Sequence, residues 1–317
     1  MQTFIGLKDV RRSLRSPVIT IGNFDGVHRG HQVLFQKLKE RAKEINGESV
    51  VMTFHPHPLE VLFPGKGPLF ITSHEQKLKL IAESGVDAAI VIPFDSEFSR
   101  LTAREFVSDV LVGIIGVRVI IVGHDYRFGR GREGDIDLLL QLGKEFGFDV
   151  EMVAGIRMDD EVVSSTVIRE LILKGNVKRA GALLGRRYEI RGPVVAGRHR
   201  GGKLLGFPTA NVCMPKQASP HTGVYVVEAE VNGKWYGGAA NLGYNPTFGD
   251  SELCLEVHLF DFNEEIYGVA ITVRFIDRLR EEKRFSGPDE LSAQIRKDVE
   301  KAKKILSAVS RKEKGRT

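Results

Sequence analysis

The first part of the chain alternates short apolar runs with amphipathic segments. The run Val18–Ile21 is β-branched and typical of a buried strand, and apolar residues recur at helical spacing just after it. Further strands are predicted at 49–54, 88–93, 117–122 and 148–153, and helices at 73–84, 102–113 and 135–146. Because strands alternate with helices of this length, we predict an α/β fold with a doubly wound parallel sheet over residues 18–184.

A different pattern begins near residue 185. Strands now follow one another with turn signals between them, and they are predicted at 188–196, 224–231, 234–242, 252–260 and 269–275. The dipeptide Asn232-Gly233 between two of them is a signal for a two-residue hairpin. This spacing predicts a small antiparallel β-barrel, followed by a helix at 288–306. We therefore expect two domains, residues 1–185 and 186–317.

Composition limits the class of protein. With 317 residues, of which 42% are hydrophobic and 27% charged, the chain has the balance of a folded protein with two cores. No apolar run approaches the roughly 20 residues that span a bilayer, and the N-terminus lacks the pattern of a signal peptide. The two cysteines, Cys213 and Cys254, have no metal-ligand spacing. We therefore expect a cytoplasmic protein with reduced thiols and no membrane partner.

The formal net charge of +5 changes this picture little, because much of the basic excess lies after Gln294. We interpret these residues as the solvated face of a helix and its tail, and not as a nucleic-acid surface. The sequence does not indicate an oligomeric state.

The segment Gly22–His31 is the strongest candidate for chemistry. It reads Gly-Asn-Phe-Asp-Gly-Val-His-Arg-Gly-His and lies between the first strand and a helix. Free backbone N–H groups and the helix dipole favour an anion at such a turn. The glycines leave room for a phosphate, and His28 and His31 can both point towards it. The segment therefore predicts a site for nucleotide chemistry.

Three other segments follow predicted strands and could reach the same site. Phe54–Pro58 holds two prolines and two histidines. It either forms one wall of a site for a flat ring or is a plain connection. Gly123–Arg132 interleaves aromatic, basic and glycine residues, which favours a role in lining a site. The hydroxyl residues within Val163–Arg169 are ordinary helix N-caps by themselves, but Arg169 one turn later makes a second phosphate clamp plausible.

Two segments of the second half are candidates of a weaker kind. Gly197–Asn211 is a glycine-rich basic loop whose N–H groups could wrap phosphates, with Thr209 and Asn211 as oxygen ligands for Mg²⁺. It lacks the ending of a Walker A sequence, and its spacing alone favours a flexible hairpin loop. In Leu253–Phe262, strand alternation puts Glu256 on the less apolar face, and periodicity gives it no role.

The histidine motif and the later Ser-Ser-Thr-x-Ile-Arg run together resemble the nucleotidylyltransferase superfamily. The longer form Gly22–His31 is most similar to the FMN adenylyltransferase half of bacterial bifunctional riboflavin kinases/FAD synthetases. The resemblance implies that His28, His31 and Arg169 stabilise charge on the α-phosphate and the departing pyrophosphate. It implies ATP and phosphate ligands at Gly22, Asn23, Phe24, Gly30, Ser164, Ser165 and Thr166. It implies flavin contacts at His57, Asp125, Arg127 and Phe128.

The second half resembles the riboflavin kinase domain of the same family. The resemblance rests on Gly206–Asn211, on the run that begins at Glu256, on Asn241–Phe248 and on Arg280–Phe285. It implies that Gly206, Thr209 and Asn211 handle ATP phosphates, the last two with Mg²⁺. It implies that Glu256 is the base that deprotonates a ribityl hydroxyl, and that Arg280 contacts the flavin.

We therefore expect a bifunctional enzyme of flavin-cofactor synthesis that uses riboflavin, FMN, ATP and Mg²⁺. One alternative is that the barrel is an RNA-binding module, but the second half lacks a stripe of exposed aromatics beside basic residues. Another alternative is a flavin store or sensor without turnover. The complete set of candidate catalytic residues argues against it.

Overall fold

Six parallel strands form one sheet in the first half of the computed structural model. The structure describes residues 1–10, 13–65, 67–196, 207–244 and 253–314, without the side chains of 312–314. Within them the sheet contains β1 (Gln2–Ile5), β2 (Val18–Ile21), β3 (Ser49–His55), β4 (Ala88–Pro93), β5 (Val119–Gly123) and β6 (Asp149–Val153). All pairings are parallel, as predicted, and β1 is an additional edge strand with only Phe4 buried.

The strand order is β1-β4-β3-β2-β5-β6. The chain therefore builds outwards from β2 in one direction through β3 and β4, and then restarts on the other side of β2 with β5. In open α/β sheets, ligands bind at the carboxyl ends of the strands where the order reverses in this way. That position lies between the ends of β2 and β5, which lead into Gly22–His31 and into the segment after Gly123.

Helices cover both faces of this sheet. They are α1 (Arg29–Glu44), α2 (Pro58–Leu62), α3 (His74–Glu83), α4 (Ala103–Glu105) and α5 (Ile136–Phe146), with 3₁₀ turns at Phe98–Arg100 and Arg130–Arg132. A two-stranded hairpin, β7 (Arg157–Met158) and β8 (Glu161–Val162), follows β6. Separate apolar clusters fill the two sides of the sheet.

One helix differs from its prediction. The capping box of Thr102 and Glu105 opens α4 as expected, but the helix continues as a π-helical segment, Phe106–Ile115, instead of ending at Gly113. Its buried side chains, at 106, 107, 110, 111 and 115, recur at intervals of four or five residues, so the wider helix keeps them on one face. Gly116 ends it with φ of 71°, a conformation that glycine adopts readily.

Six antiparallel strands of the second half form a closed barrel within the described ranges. They are β9 (Tyr188–Val195), β10 (Ala210–Val212), β11 (Gly223–Val231), β12 (Lys234–Tyr244), β13 (Leu253–Leu259) and β14 (Ala270–Arg280). The order around the barrel is β10-β13-β12-β11-β14-β9. The sequence pattern predicts five of these strands. The prediction of a loop through residue 211 is wrong for Ala210 and Asn211, which belong to β10; this strand pairs with both β9 and β13 and closes the barrel.

Three helices of the described ranges flank the barrel strands in the sequence: α6 (Ser165–Leu173), α7 (Val177–Leu184) and α8 (Pro288–Lys314). The last helix extends eight residues beyond its predicted end at 306. It packs Val299, Ala302 and Leu306 on an apolar cluster that includes Val226 and Phe260 of the barrel. This packing covers one side of the barrel with a helix whose outer face is rich in lysine.

The chain divides into two compact units, Met1–Ser165 and Thr166–Thr317. Helix α7 belongs to the second unit and packs on β9 and β14. Its buried residues are Val177, Ala180, Leu183 and Leu184. Among the described residues, no helix combines the length and the apolar character needed to cross a membrane.

Candidate active sites

The turn after β2 brings the two predicted histidines together. His28 is the N-cap of α1, and its Nδ1 accepts a hydrogen bond from the backbone N–H of His31 at 3.4 Å. The two imidazole rings stack with centroids 3.6 Å apart and planes 20° apart. His28 is buried and His31 is half-buried. The pair therefore lies at the positive end of a sixteen-residue helix, where an anion is favoured.

The backbone of this turn has an unusual conformation. Phe24 has φ of 50° and Val27 has φ of 40°, values that residues with a side chain rarely adopt. Packing holds them there, because the Phe24 ring contacts Phe35 and His31 edge-on at 5.0 and 5.1 Å. Gly30 leaves room for the His28 ring, since a Cβ there would lie 3.0 Å from Cε1 of His28. The turn is therefore fixed by its buried surroundings.

Asp25 anchors the middle of the turn. Its carboxylate is buried and accepts hydrogen bonds from the N–H groups of Ile71 and Thr72 and from the Thr72 hydroxyl. The backbone carbonyl of Asp25 accepts a hydrogen bond from Oγ of Ser165 at 2.9 Å. Ser165, predicted from the hydroxyl run, is thereby joined to the histidine turn.

Lys77 is a residue of this region that the sequence pattern does not indicate. It is 8% exposed, and its Nζ donates hydrogen bonds to Asn23 O at 3.2 Å, Thr53 Oγ1 at 3.1 Å and Phe54 O at 3.3 Å. Burial lowers the pKa of Lys77 to about 8, against the opposing effect of the Asp25 carboxylate. The sequence signal that could have indicated the burial of Lys77 is its spacing of four from Ile81, which puts both residues on one face of α3.

The loop after β3 has more internal structure than a plain connection. His57 is the N-cap of α2, and its Nδ1 accepts a hydrogen bond from the N–H of Leu59 at 3.1 Å. The His55 ring stacks on His74 with centroids 3.9 Å apart. Burial, together with the charges of His55 and Lys77, lowers the pKa of His74 to about 4. The role of His57 towards a flavin stays a prediction.

The predicted residues of the loop after β5 differ in their exposure to solvent. Asp125 and Arg127 are exposed, and Arg127 pairs with Asp135 at 3.1 Å. Phe128 is buried in the core of the unit and stacks on Tyr126 with centroids 5.5 Å apart. The charged side chains are therefore accessible to a ligand, whereas the Phe128 ring supports the loop from beneath. Their contacts to a flavin stay predictions.

The remaining predicted residues of the adenylyl half fall at the division of the chain. Ser164 precedes α6, while Thr166 and Arg169 lie within it. Ser165 is the last residue of the first compact unit, and Thr166 and Arg169 belong to the second. Their predicted roles as phosphate ligands stay predictions.

The barrel holds a cavity of about 360 Å³ between its strands and α8. Its polar side includes Thr209, Asn241, Glu256, His258 and Arg280, and its apolar side includes Leu291, Ile295 and Val299. Three residues predicted from the sequence, at positions 209, 256 and 280, thus line one cavity. Gly206 and the run 245–248 lie outside the described residues.

Glu256 lies at the centre of the polar side. On β13 it is directly opposite Asn211 of β10 on one flank and Asn241 of β12 on the other. Burial raises the pKa of the Glu256 carboxyl. A carboxylate with a raised pKa is a stronger proton acceptor, as a general base requires. Periodicity alone gave this residue no role, and its role as a base stays a prediction.

Asn211 and Arg280 are held by specific contacts. Asn211 is buried, and its Oδ1 accepts a hydrogen bond from Sγ of Cys254 at 3.6 Å. The Arg280 guanidinium donates to Asp298 of α8 at 2.8 and 2.9 Å, and Gln294 donates to the same carboxylate at 2.9 Å. This mostly buried ion pair fixes α8 over the cavity. Asp298 and Gln294 carry no signal in the sequence that sets them apart from other helix residues.

Two predicted residues with side-chain oxygen atoms lie near Glu256: Thr209 lines the same cavity, and Asn211 is its partner on β10 but is not part of the cavity lining. Hard oxygen donors in small number suit Mg²⁺, which keeps several waters and binds substrate phosphates. Within the part of the chain that the structure describes, no group of three His, Cys, Asp or Glu side chains could hold a metal ion.

Comparisons with known proteins match both halves. The family model of FAD synthetase matches residues 10–167, and the family model of riboflavin kinase matches residues 184–306. The chain is 44% identical over 282 residues to the bifunctional riboflavin kinase/FMN adenylyltransferase of Escherichia coli (strain K12), covering 89% of this chain and 90% of that protein. It is 38% identical over 309 residues to the protein of the same name from Bacillus subtilis (strain 168), covering 94% and 95%.

A solved structure is also similar. A crystal structure described as a macrolide-efflux protein from Streptococcus pneumoniae matches with a TM-score of 0.85 and 35% identity, covering 94% of this chain and 97% of that one. This similarity supports the folds of both units. The family of each half is given by the two family models, each of which matches a defined range of residues.

Proposed function

The chain belongs to the family of bifunctional riboflavin kinases/FMN adenylyltransferases, and on that premise we propose which of its residues carry the two reactions. The enzyme phosphorylates riboflavin with ATP to give FMN. It then transfers the AMP group of a second ATP to FMN, which gives FAD and pyrophosphate. The kinase reaction belongs to the barrel, and adenylyl transfer belongs to the parallel-sheet unit. We propose a functional boundary at residues 185/186.

In the kinase reaction, Glu256 is the proposed base. It accepts the proton of a ribityl hydroxyl as that oxygen forms a bond to the γ-phosphorus of ATP. The bond from the γ-phosphorus to the bridging oxygen breaks, and ADP leaves. The observation that carries this assignment is the half-buried carboxylate with a raised pKa in a cavity of about 360 Å³.

Thr209 and Asn211 are the proposed holders of Mg²⁺ and the ATP phosphates, together with Gly206. When bound, Mg²⁺ neutralises charge on the transferred phosphoryl group. Arg280, which lines the same cavity, is the proposed flavin contact of the kinase. The apolar side chains of α8 give the flat flavin ring a surface to pack on, and they keep water from the reacting hydroxyl.

Adenylyl transfer needs electrostatic stabilisation and no base, because the phosphate of FMN is already ionised. One FMN phosphate oxygen forms a bond to the α-phosphorus of ATP, and pyrophosphate leaves. We assign the stabilisation of that charge to His28, His31 and the N–H groups at the start of α1. The backbone at Gly22, Asn23, Phe24 and Gly30 is the proposed phosphate cradle.

Further assignments rest on the family resemblance alone. They are Ser164, Ser165, Thr166 and Arg169 as phosphate ligands, and His57, Asp125, Arg127 and Phe128 as flavin contacts. We also propose that riboflavin, FMN and ATP are the partners of the chain and that it works in the cytoplasm.

Product analysis tests the whole assignment. The purified chain is incubated with riboflavin, ATP and Mg²⁺, and flavins are separated by chromatography over time. We expect FMN first and FAD afterwards. Conversion of added FMN to FAD without any conversion of riboflavin would reduce the barrel to a binding module. Unchanged riboflavin and unchanged FMN would contradict both assignments.

A further inference from the structure

We propose that Lys77 is a positioning residue for adenylyl transfer, because its ammonium group ties the turn after β2 to the end of β3. This inference rests on the proposed function of the segment Gly22–His31. Lys77 is not a candidate for contact with substrate, since it is buried on α3 and directed at protein atoms. It would act through the backbone that does meet the substrates.

The hydrogen-bond geometry matches an ammonium ion. A protonated lysine has three N–H donors, and Lys77 has three acceptors at 3.1 to 3.3 Å. Two of them are backbone carbonyls of different segments, Asn23 and Phe54. The third is the hydroxyl of Thr53, which itself donates to Asn23 O at 3.3 Å. One side chain therefore joins two adjacent strand ends through a closed network.

Both segments lead directly into candidate substrate-binding residues. Asn23 precedes Phe24, whose positive φ must be maintained by its surroundings for the histidine turn to keep its shape. Phe54 precedes the loop that carries His57. Lys77 thus holds the phosphate cradle and the candidate flavin loop at a fixed separation. Small displacements of reacting groups have large effects on transfer rates, about 100-fold for a shift of 1 Å.

The charge of Lys77 is part of this function. The charged and titratable groups that face it are the Asp25 carboxylate on the turn, His74 on its own helix and His55, which stacks on His74. Burial lowers the pKa of Lys77 to about 8, so the ammonium loses a proton in mildly alkaline solution. A neutral amine has two hydrogens for three acceptors. One segment is then released, and adenylyl transfer declines.

The test uses the full chain with Lys77→Met and Lys77→Arg. Lys79→Met is the matched control, because Lys79 is an exposed lysine on the same helix. FAD formation from FMN and ATP is measured between pH 6 and pH 10, with kcat and KM for both substrates. FMN formation from riboflavin in the same samples reports on the barrel, and thermal unfolding reports on folding.

We expect Lys77→Met to lower kcat/KM for FAD formation by about 100-fold and to raise KM for both FMN and ATP. Lys77→Arg should keep more activity and lose the alkaline decline near pH 8, because a guanidinium stays protonated. Lys79→Met should match the unchanged chain in every assay. FMN formation should be the same in all four proteins.

Three results would overturn or redirect the inference. Wild-type KM values and kcat/KM in Lys77→Met would refute it. If Lys77→Met does not fold, an alkaline decline in Lys77→Arg at the same pH as in the unchanged chain would refute it. Retention of FAD formation by a His28→Ala/His31→Ala variant would instead refute the proposed function of the turn, whatever the lysine variants do.

Discussion

Asn211 and Glu256 lie directly opposite each other on two antiparallel strands of the barrel. The proposed ligand of Mg²⁺ and the proposed base are therefore held in register by the backbone ladder, and not by flexible loops. Asn211 is buried, and its amide oxygen is contacted by Cys254 from the same strand as Glu256. This arrangement makes the kinase site a rigid part of the barrel wall.

Glu256→Gln should remove FMN formation and leave FAD formation from added FMN unchanged. Glutamine keeps the shape and polarity of the side chain but cannot accept the hydroxyl proton, and loss of a general base costs about 100- to 10,000-fold. Steady-state assays of the two reactions in one preparation measure this. Glu264→Gln is the control, because Glu264 is an exposed glutamate outside the cavity. Equal FMN formation in both variants would exclude Glu256 as the base.

The raised pKa of Glu256 predicts two dependences on pH. FMN formation should fall in acid at a pH above the usual glutamate pKa of about 4.3, because the base must be ionised. For stability, the folded state binds this proton more tightly than the unfolded state, so the contribution of Glu256 is lost as pH rises through the folded pKa. Glu256→Gln should therefore raise the melting temperature more at pH 8 than at pH 5. Calorimetry at the two pH values checks the sign.

Replacing His28 and His31 with alanine should lower the rate of FAD formation by about 100-fold or more and leave FMN formation intact. The reason is electrostatic, because both imidazoles lie at the start of α1 where the proposed phosphates bind. His221→Ala is a suitable control, since His221 is an exposed histidine of the second unit that does not line the barrel cavity. FAD formation that survives in the double variant would move the adenylyl site away from this turn.

Two fragments test whether the second domain begins at residue 186 or at residue 166. Residues 186–317 should fold and retain FMN formation. Residues 166–317 should melt at a higher temperature, because they keep the four buried apolar side chains of α7 against β9 and β14. Circular dichroism on heating and kinase assays compare them. An unfolded shorter fragment beside a folded longer one would move the domain boundary to the start of α6.

The sequence pattern predicted both fold classes because each follows from local periodicity. The strand that carries Glu256 was predicted from alternation at 253–260, and so was the less apolar character of its face. The cavity over that face was not predictable, because α8 covers it from residues 288–314, far along the chain. Contacts between distant segments leave no periodic signal in either one.

The structure differs from the sequence predictions mainly at strand β10 and at the buried Lys77, and both differences have the same origin. Strand β10 has three residues, too few for alternation to be recognised, and only its partners on both sides make it a strand. Lys77 is a residue type usually exposed on a helix surface, and its burial depends on carbonyls supplied by the turn after β2 and by β3. Tertiary context decided both positions.

Strand β10 has three residues and pairs over three positions with β13 and over two with β9, so it is the seam at which the barrel would open first. Thr209 and Asn211 lie at this seam, so any nucleotide that they bind favours the closed form over the open one. Mass action then raises the free energy of opening by RT ln(1 + [ligand]/Kd), about 2.7 kcal/mol at a hundredfold excess over Kd. Amide hydrogens of β9, β10 and β13 should accordingly exchange with solvent more slowly when ATP is present. The concentration of ATP thus controls the stability of the closed barrel as well as the turnover of the enzyme.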